Sequence, residues 1–294
     1  EYLPEKILNN YNLIGLKEAL RIIHFPDNLN SVILAQRRIA FDELFFISLK
    51  ANLSKESLKK EKSPVISIED TEIAKFVKKL PFKLTDDQRK SAWQIIKDLN
   101  KNQPMNRLLN GDVGSGKTVV AAIAVYVSVK SGYRVLLMTP TSILANQHFD
   151  SITSLLGDLP VTVGLLTGST RQSERNTLHK SLEAGELQII IGTHALIEDV
   201  VKFKNLGFVV IDEQQRFGVA QRAKLWEKNN NPPHVLVMTA TPIPRTLAMT
   251  VYGDLDVSVI DELPPGRKPV NDSPPQRASA STPLQRTTTA RNRR

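Results

Sequence analysis

The sequence predicts an α/β fold, a doubly wound and mostly parallel sheet preceded by a helical segment, and three observations carry that reading. From Thr85 onward, short apolar runs of strand length alternate with amphipathic stretches of helix length, the pattern of parallel strands joined by crossover helices. Several runs, Val209-Val210-Ile211 among them, are apolar at consecutive positions, as strands covered on both faces must be. The run Gly111-Asp-Val-Gly-Ser-Gly-Lys-Thr118 sits where one strand gives way to a helix, as a glycine-rich phosphate loop does.

Taken in chain order, residues 1–62 read as helical. Val32, Ala35, Ile39, Leu44, Ile47 and Leu58 recur at helical spacing, with Arg37, Arg38, Asp42 and Glu43 between them, and Pro26-Asp27 breaks the pattern. The lysine-rich stretch Lys55–Lys62, followed by Pro64, reads as a helix end and linker with a solvated face. Residues 63–270 then form the α/β lobe. Thr85 is a candidate N-cap for a helix over Asp86–Leu99. The expected strands are Asn106–Leu109, Arg134–Met138, Val161–Leu165, Leu187–Ile191, Phe208–Ile211 and Val235–Met238. From Asn271 to Arg294 the composition turns to Ser, Thr, Pro and Arg, with Leu284 the one large aliphatic residue, so a disordered tail is expected there.

Composition narrows the function classes. The 294 residues carry a formal charge of +9, which favours a polyanionic partner such as nucleic acid, although surface lysines also keep a protein soluble. There is no cysteine, which excludes disulfides and thiolate chemistry and is compatible with a reducing cytosol. His24, His148, His179, His194 and His234 lack the spacing of a zinc site. The longest apolar stretch, Val119–Val129, is interrupted by Ser128 and falls short of the roughly 20 residues that span a bilayer. The chain starts Glu-Tyr-Leu-Pro, without an initiator Met or a signal-peptide pattern, and reads as the start of a fragment.

The chemistry rests on a few clusters. In the loop Gly111, Asp112, Val113, Gly114, Ser115, Gly116, Lys117 and Thr118, glycines let backbone N–H groups close around phosphate oxygens at a helix N-terminus. Lys117 is then expected at the β and γ phosphates and the Thr118 hydroxyl on Mg²⁺, making ATP and Mg²⁺ the expected cofactors. By average composition this pattern arises by chance in roughly one chain in a hundred of this length. Its strand-to-helix setting makes a plain glycine turn less probable still. Asp212 and Glu213 follow an apolar strand, at the edge where open α/β sheets bind ligands. Asp212 suits the metal and Glu213 the orientation of the attacking water, while a helix N-cap is the plain alternative.

Thr139-Pro140-Thr141, which opens the stretch to His148, and Gly192-Thr193-His194 also follow strands. Their neutral donors suit nucleic-acid phosphates, with loop capping as the alternative. The stretch Thr239–Thr246, with two prolines, suits a relay between nucleotide and nucleic acid or simply a rigid turn. Gln88 has the amide geometry to read an adenine edge.

Taken together and in this order, Leu84–Gln88, Gly111–Thr118, Thr139–His148, Leu165–Ser169, Gly192–His194, Asp212–Val219 and Thr239–Thr246 resemble the first RecA-like lobe of superfamily-two helicases. Within that superfamily they are similar to the RecG helicases. His24-Phe-Pro26 and Ala35–Phe45 resemble the segment joining the wedge to the motor there, and Glu262–Val270 resembles the exit from the first lobe. The resemblance implies an ATP-dependent DNA translocase, cytoplasmic, that regresses stalled forks and migrates Holliday junctions. It implies Gln88 at the adenine, and Lys117, Thr118, Asp212 and Glu213 at the phosphates and Mg²⁺. It also implies Gly168, Thr193 and His194 at DNA, and Thr239, Thr241 and Arg245 in coupling. Transcription-repair coupling factors share much of this lobe and stand second among motor readings; a small-molecule kinase would not need Thr239–Thr246 or Gly192–His194.

Two departures bear on the mechanism. The motif that usually reads Asp-Glu-Gln-His has Gln215 in its fourth place, which keeps hydrogen bonding but loses the imidazole and bears on coupling. The wedge and the second RecA-like lobe, with the arginine that lobe contributes, are not in this sequence. The chain alone is therefore expected to bind ATP weakly and to unwind nothing. The Arg-rich segment from Asn271 resembles no RecG segment, and a truncated or frame-shifted reading of a longer gene is the expectation it prompts.

Overall fold

The computed structural model describes residues 1–157, 159–198, 201–212, 231–241, 255–262 and 264. The expected tail, 271–294, lies outside the described residues. Among the described residues seven strands form one sheet: β1 (Asn106–Gly111), β2 (Arg134–Met138), β3 (Val163–Leu166), β4 (Ile189–Gly192), β5 (Leu206–Asp212), β6 (His234–Thr239) and β7 (Asp256–Ile260). Their order is β3-β4-β2-β5-β6-β1-β7, and every neighbouring pair is parallel.

The doubly wound parallel sheet is thus as expected, with two strands starting two residues later than the apolar runs suggested. β7 is an addition. Its Asp-Val-Ser-Val-Ile sequence alternates instead of running apolar, because among the described residues it is an edge strand paired with β1 alone and half open to water. Ser258 makes that alternation tolerable: its hydroxyl accepts from Arg107 Nη1 at 2.9 Å and donates to Gln94 Oε1 at 2.6 Å.

The segment before the sheet is helical: α1 (Glu5–Tyr11), α2 (Leu16–His24) and α3 (Leu29–Lys59). Pro26-Asp27 separates α2 from α3, and Asn28 caps α3 by accepting from the Ser31 backbone N–H at 2.8 Å while Ser31 Oγ accepts in return from the Asn28 N–H. Ala19, Ile22 and Ala35 make a small core between α2 and α3. Beside it lies a fully buried Arg38. Its guanidinium donates to both Glu1 carboxylate oxygens, to Asp42 Oδ1 and to the Ile14 carbonyl, so the buried charge is paired on every side. That pairing holds the Glu1 carboxyl well below the usual carboxylate range.

Four helices, α4 (Asp70–Lys79), α5 (Asp86–Leu99), α6 (Lys117–Lys130) and α7 (Ser142–Leu156), cover one face of the sheet, and α8 (Gln172–Ala184) with a 3₁₀ turn at His194–Ile197 covers the other. Side chains alternate between the two cores along each strand. Phe208 and Val210 of β5 face the first core, Val209 and Ile211 the second. Helix α6 is buried at every position from Val119 to Val129, so the apolar stretch is a core helix. Ser128 is tolerated inside it because its hydroxyl donates to the Ala124 carbonyl at 2.8 Å. Among the described residues no helix is long and apolar enough to cross a membrane.

His234, buried at the start of β6, ties the stretch that follows α3 to the sheet. Its Nδ1 accepts from the Met105 backbone N–H at 3.0 Å and its Nε2 donates to the Pro64 carbonyl at 2.6 Å, which requires the neutral ring. Burial pushes its pKa below the ordinary histidine value, whereas the unfolded chain protonates near pH ~6.5. The sign follows: its contribution to stability is complete above about pH 6.5 and is lost as the pH falls from there through the folded-state pKa, because only the unfolded state takes up the proton. Urea midpoints measured between about pH 7.5 and about pH 5.5 should therefore fall more steeply for the wild type than for His234→Gln; equal slopes would refute this.

Candidate nucleotide and nucleic-acid site

Because all seven strands run parallel, their carboxyl ends and the loops after them share one edge, and the motifs arrange themselves there by strand order. The phosphate loop follows β1, Asp212 ends β5, and Thr239 ends β6. These three neighbouring strands form one half of the edge. Thr139–Thr141 follows β2, Thr167–Ser169 follows β3 and Thr193–His194 follows β4, forming the other half. The boundary runs between β2 and β5, where Met138 pairs with Ile211.

In the first half, Gly116 is the hinge of the loop. It has φ +89°, which strains any L side chain, and a Cβ there would lie 2.2 Å from Gln88 Nε2, so a side chain would push the Gln88 amide out of its place. Gln88 explains the crowding. Its carboxamide oxygen accepts from the Thr85 backbone N–H at 3.0 Å, and the Thr85 hydroxyl accepts from the Gln88 N–H, completing a capping box on α5. Its Nε2 donates to the Ser115 carbonyl at 2.7 Å. The expected cap and the expected ligand-site residue are therefore one device, and its amide holds the phosphate loop directly. Lys117 Nζ donates to the Gly111 and Asp112 carbonyls, folding back across the loop it ends.

Gln88, Gly116 and Thr118 also line a cavity of about 660 Å³, whose walls include Phe82, Leu155 and Pro264. Beside Gln88 in the chain, the start of α5 takes part in a reciprocal clamp. Asp87 Oδ2 accepts from the backbone N–H groups of Asp261 and Glu262, and Glu262 Oε2 accepts from those of Asp86 and Asp87 at the N-terminus of α5.

In the second half the three loops are stitched to one another. Thr139 donates its backbone N–H to the Gly192 carbonyl at 2.9 Å and its hydroxyl to the Thr141 carbonyl at 2.9 Å. Thr193 donates its N–H to the Leu166 carbonyl at 3.2 Å. A Cβ at Gly192 would sit 2.0 Å from that same carbonyl, so only glycine permits the approach. Thr141 caps α7 by accepting from Leu144 N–H, while Pro140 is half-buried beside it. Gly168 and His194 are exposed, and the buried Thr193 hydroxyl lacks a partner among the described residues. Arg175 of α8 donates to the Thr167 carbonyl at 3.1 Å and pairs with Glu198 at 3.7 Å, bridging the loops after β3 and β4.

Across the boundary, His148 Nε2 lies 2.7 Å from Asp212 Oδ2, with both side chains buried. Sequence reasoning placed His148 in a donor-rich stretch but not against Asp212. Thr239 is buried, and its hydroxyl accepts from Thr241 N–H at 3.3 Å. Glu213, Gln215 and Arg245 lie outside the described residues.

Comparison with known proteins gives this arrangement a family. Residues 85–250 match DEAD/DEAH box helicase, more than half of the chain. The chain belongs to the DEAD/DEAH box helicase family. The matched helicase region contains Gln88, the phosphate loop, all three donor loops and Asp212. The chain is 49% identical over 277 residues to the ATP-dependent DNA helicase RecG of Aquifex aeolicus (strain VF5), covering 92% of this chain and 35% of that protein. It is 48% identical over 267 residues to the ATP-dependent DNA helicase RecG of Bacillus subtilis (strain 168), covering 90% and 39%. A solved structure of RecG bound to a three-way DNA junction superposes with a TM-score of 0.79 at 42% identity, covering 91% of this chain and 36% of that one. The chain thus spans between a third and two fifths of the length of these helicases.

The packing around Gly116 sets a test. Gly116→Ala is expected to destabilise the protein by about 1–2 kcal/mol through the left-handed backbone alone, with a further loss from displacing the Gln88 amide. Urea unfolding measures it, and an unchanged midpoint would show that the loop is not built as described.

Proposed function

We propose that this chain is the first motor lobe of a RecG-type, ATP-dependent DNA helicase or translocase that acts on replication forks and Holliday junctions in repair and recombination, in the cytoplasm. The observation that carries the reading is the glycine-rich loop held by Gln88 on the same sheet edge as Asp212, with three joined donor loops beside it.

The residues present fit a magnesium nucleotide. The glycine cradle at Gly116 would be closed by any side chain, and the buried Ser115 hydroxyl is without a partner among the described residues. Backbone N–H groups of the loop, at the N-terminus of α6, would hold the phosphates, with Lys117 exchanging its two carbonyl partners for phosphate oxygens. Thr118 and Asp212 would hold Mg²⁺, and Glu213 would orient the attacking water. Bound magnesium supplies neutralisation of the charge that develops on the phosphoryl oxygens. Adenine would enter the cavity lined by Gln88 and Phe82. Gln88 would change partners to read the base. Thr139, Pro140, Thr141, Gly168, Thr193 and His194 would meet the DNA backbone, whose recognition through neutral donors fixes position and leaves sequence unread. Gln215, Thr239, Thr241 and Arg245 would relay between the two.

Hydrolysis coupled to movement needs a second lobe closing over the nucleotide, because the cationic side chain that such a lobe contributes is worth orders of magnitude in turnover. The chain alone should accordingly bind ATP, hydrolyse it negligibly and leave forked DNA wound, and Lys117→Ala should bind ATP at least about ten-fold more weakly. Labelled-ATP binding, hydrolysis and strand-separation assays check these. Absence of ATP binding by the wild type would sink the proposal, while DNA-stimulated turnover lost in Lys117→Ala would show that one lobe suffices.

A further inference from the structure

His148 occupies a place where packing alone would select an aliphatic side chain. On α7 the positions facing the core are Ala145, His148, Ile152 and Leu156, a helical stripe of which His148 is the polar member. Its ring is buried, its Nδ1 has no partner among the described residues, and its single hydrogen bond runs from Nε2 to Asp212 Oδ2 at 2.7 Å. An imidazole half satisfied in a core costs stability that a leucine would not. That cost is tolerated for the contact with Asp212.

The place of the contact in the sheet gives it a use. Asp212 ends β5 in the half of the edge that holds the phosphate loop, whereas α7 begins at Thr141 in the half that holds the donor loops. His148 lies two helical turns beyond Thr141 on one continuous helix. Any movement of the loop Thr139–Thr141 that shifts α7 along or about its axis is therefore delivered to one oxygen of Asp212.

We infer that His148 is a positioning residue for Asp212: by donating to Oδ2 it sets the rotation of the carboxylate that would face the metal, and through α7 it links that carboxylate to the Thr139–Thr141 loop. The inference rests on the reading of Asp212 as a magnesium residue. Groups that hold a metal-ligating side chain in orientation commonly change metal affinity by about 10–100-fold when removed, which sets the size expected here.

The test is a fluorescent-ATP binding assay on this chain with Mg²⁺ titrated in, repeated with forked DNA present, together with a thermal melt. In His148→Ala the Mg²⁺ concentration at half-effect should rise about ten-fold or more, with nucleotide binding in chelator unchanged. His148→Gln, whose amide keeps a donor, should recover most of that loss. Forked DNA should shift the wild-type Mg²⁺ midpoint and leave that of His148→Ala in place. The inference is overturned if His148→Ala melts like the wild type and keeps its Mg²⁺ midpoint. It is also overturned if chelator-state binding collapses equally in both variants, the mark of a purely structural residue, or if DNA shifts the alanine variant as much as the wild type. A wild type that binds ATP with no response to Mg²⁺ removes the magnesium reading of Asp212 and this inference with it, while leaving the phosphate loop standing.

Discussion

Helix α6 is buried on all sides from Val119 to Val129, and the geometry of the edge depends on that constraint. A helix without a solvent face cannot roll or slide without opening voids in a core packed at near-crystalline density. It is pressed between the sheet and α4, α5 and α7, with Phe76 stacked on Tyr126 at 4.2 Å. Its first residue, Lys117, is therefore a fixed point, and the loop Gly111–Gly116 has to close the short distance from the end of β1 to that point. Gly116 at φ +89° closes it, and Gln88 locks the closure from α5. Binding energy for phosphate at such a loop would not be spent on ordering it.

The sheet order divides the carboxyl edge along a line. Chain order alternates between the two halves, since β1 lies on one side of the β2/β5 boundary, β2, β3 and β4 on the other, and β5, β6 and β7 on the first again. Loops far apart in sequence thereby meet: Thr139 with Gly192, Thr193 with Leu166, and His148 with Asp212. The first two join the donor loops to one another through backbone hydrogen bonds. The third crosses the boundary, through side chains packed at protein density, and it is the kind of contact by which occupancy of one half can bias the other.

How much of this was legible in the sequence follows from what each feature depends on. Strands β2, β5 and β6 were readable because strands covered on both faces carry consecutive apolar residues, as Val209-Val210-Ile211 does, and β3 and β4 were placed to within two residues for the same reason; β1, with Leu108-Leu109 between polar residues, was marked by the glycine-rich loop that follows it. β7 was missed because an edge strand relaxes that demand, and Asp-Val-Ser-Val-Ile resembles a loop with two valines. The turn from β1 into α6 was readable because its signal is local, a spacing of glycines before Lys117. Thr85 and Gln88 were each readable as a cap or a ligand, yet not as one bridge to Ser115, since that bond spans 27 residues between separate elements. His148–Asp212 was hidden for the same reason in stronger form: it exists only because β2 lies next to β5, and strand adjacency is a property of the sheet that no window of sequence contains.

A nucleotide seated on the proposed phosphate loop should be felt on the other side of the β2/β5 boundary. Hydrogen exchange of the chain with and without a non-hydrolysable ATP analogue and Mg²⁺ measures it directly. The account predicts slower exchange in 111–118 and at the end of β5, accompanied by a change in the first two turns of α7. Protection confined to 111–118, with exchange in α7 unaltered, would contradict it.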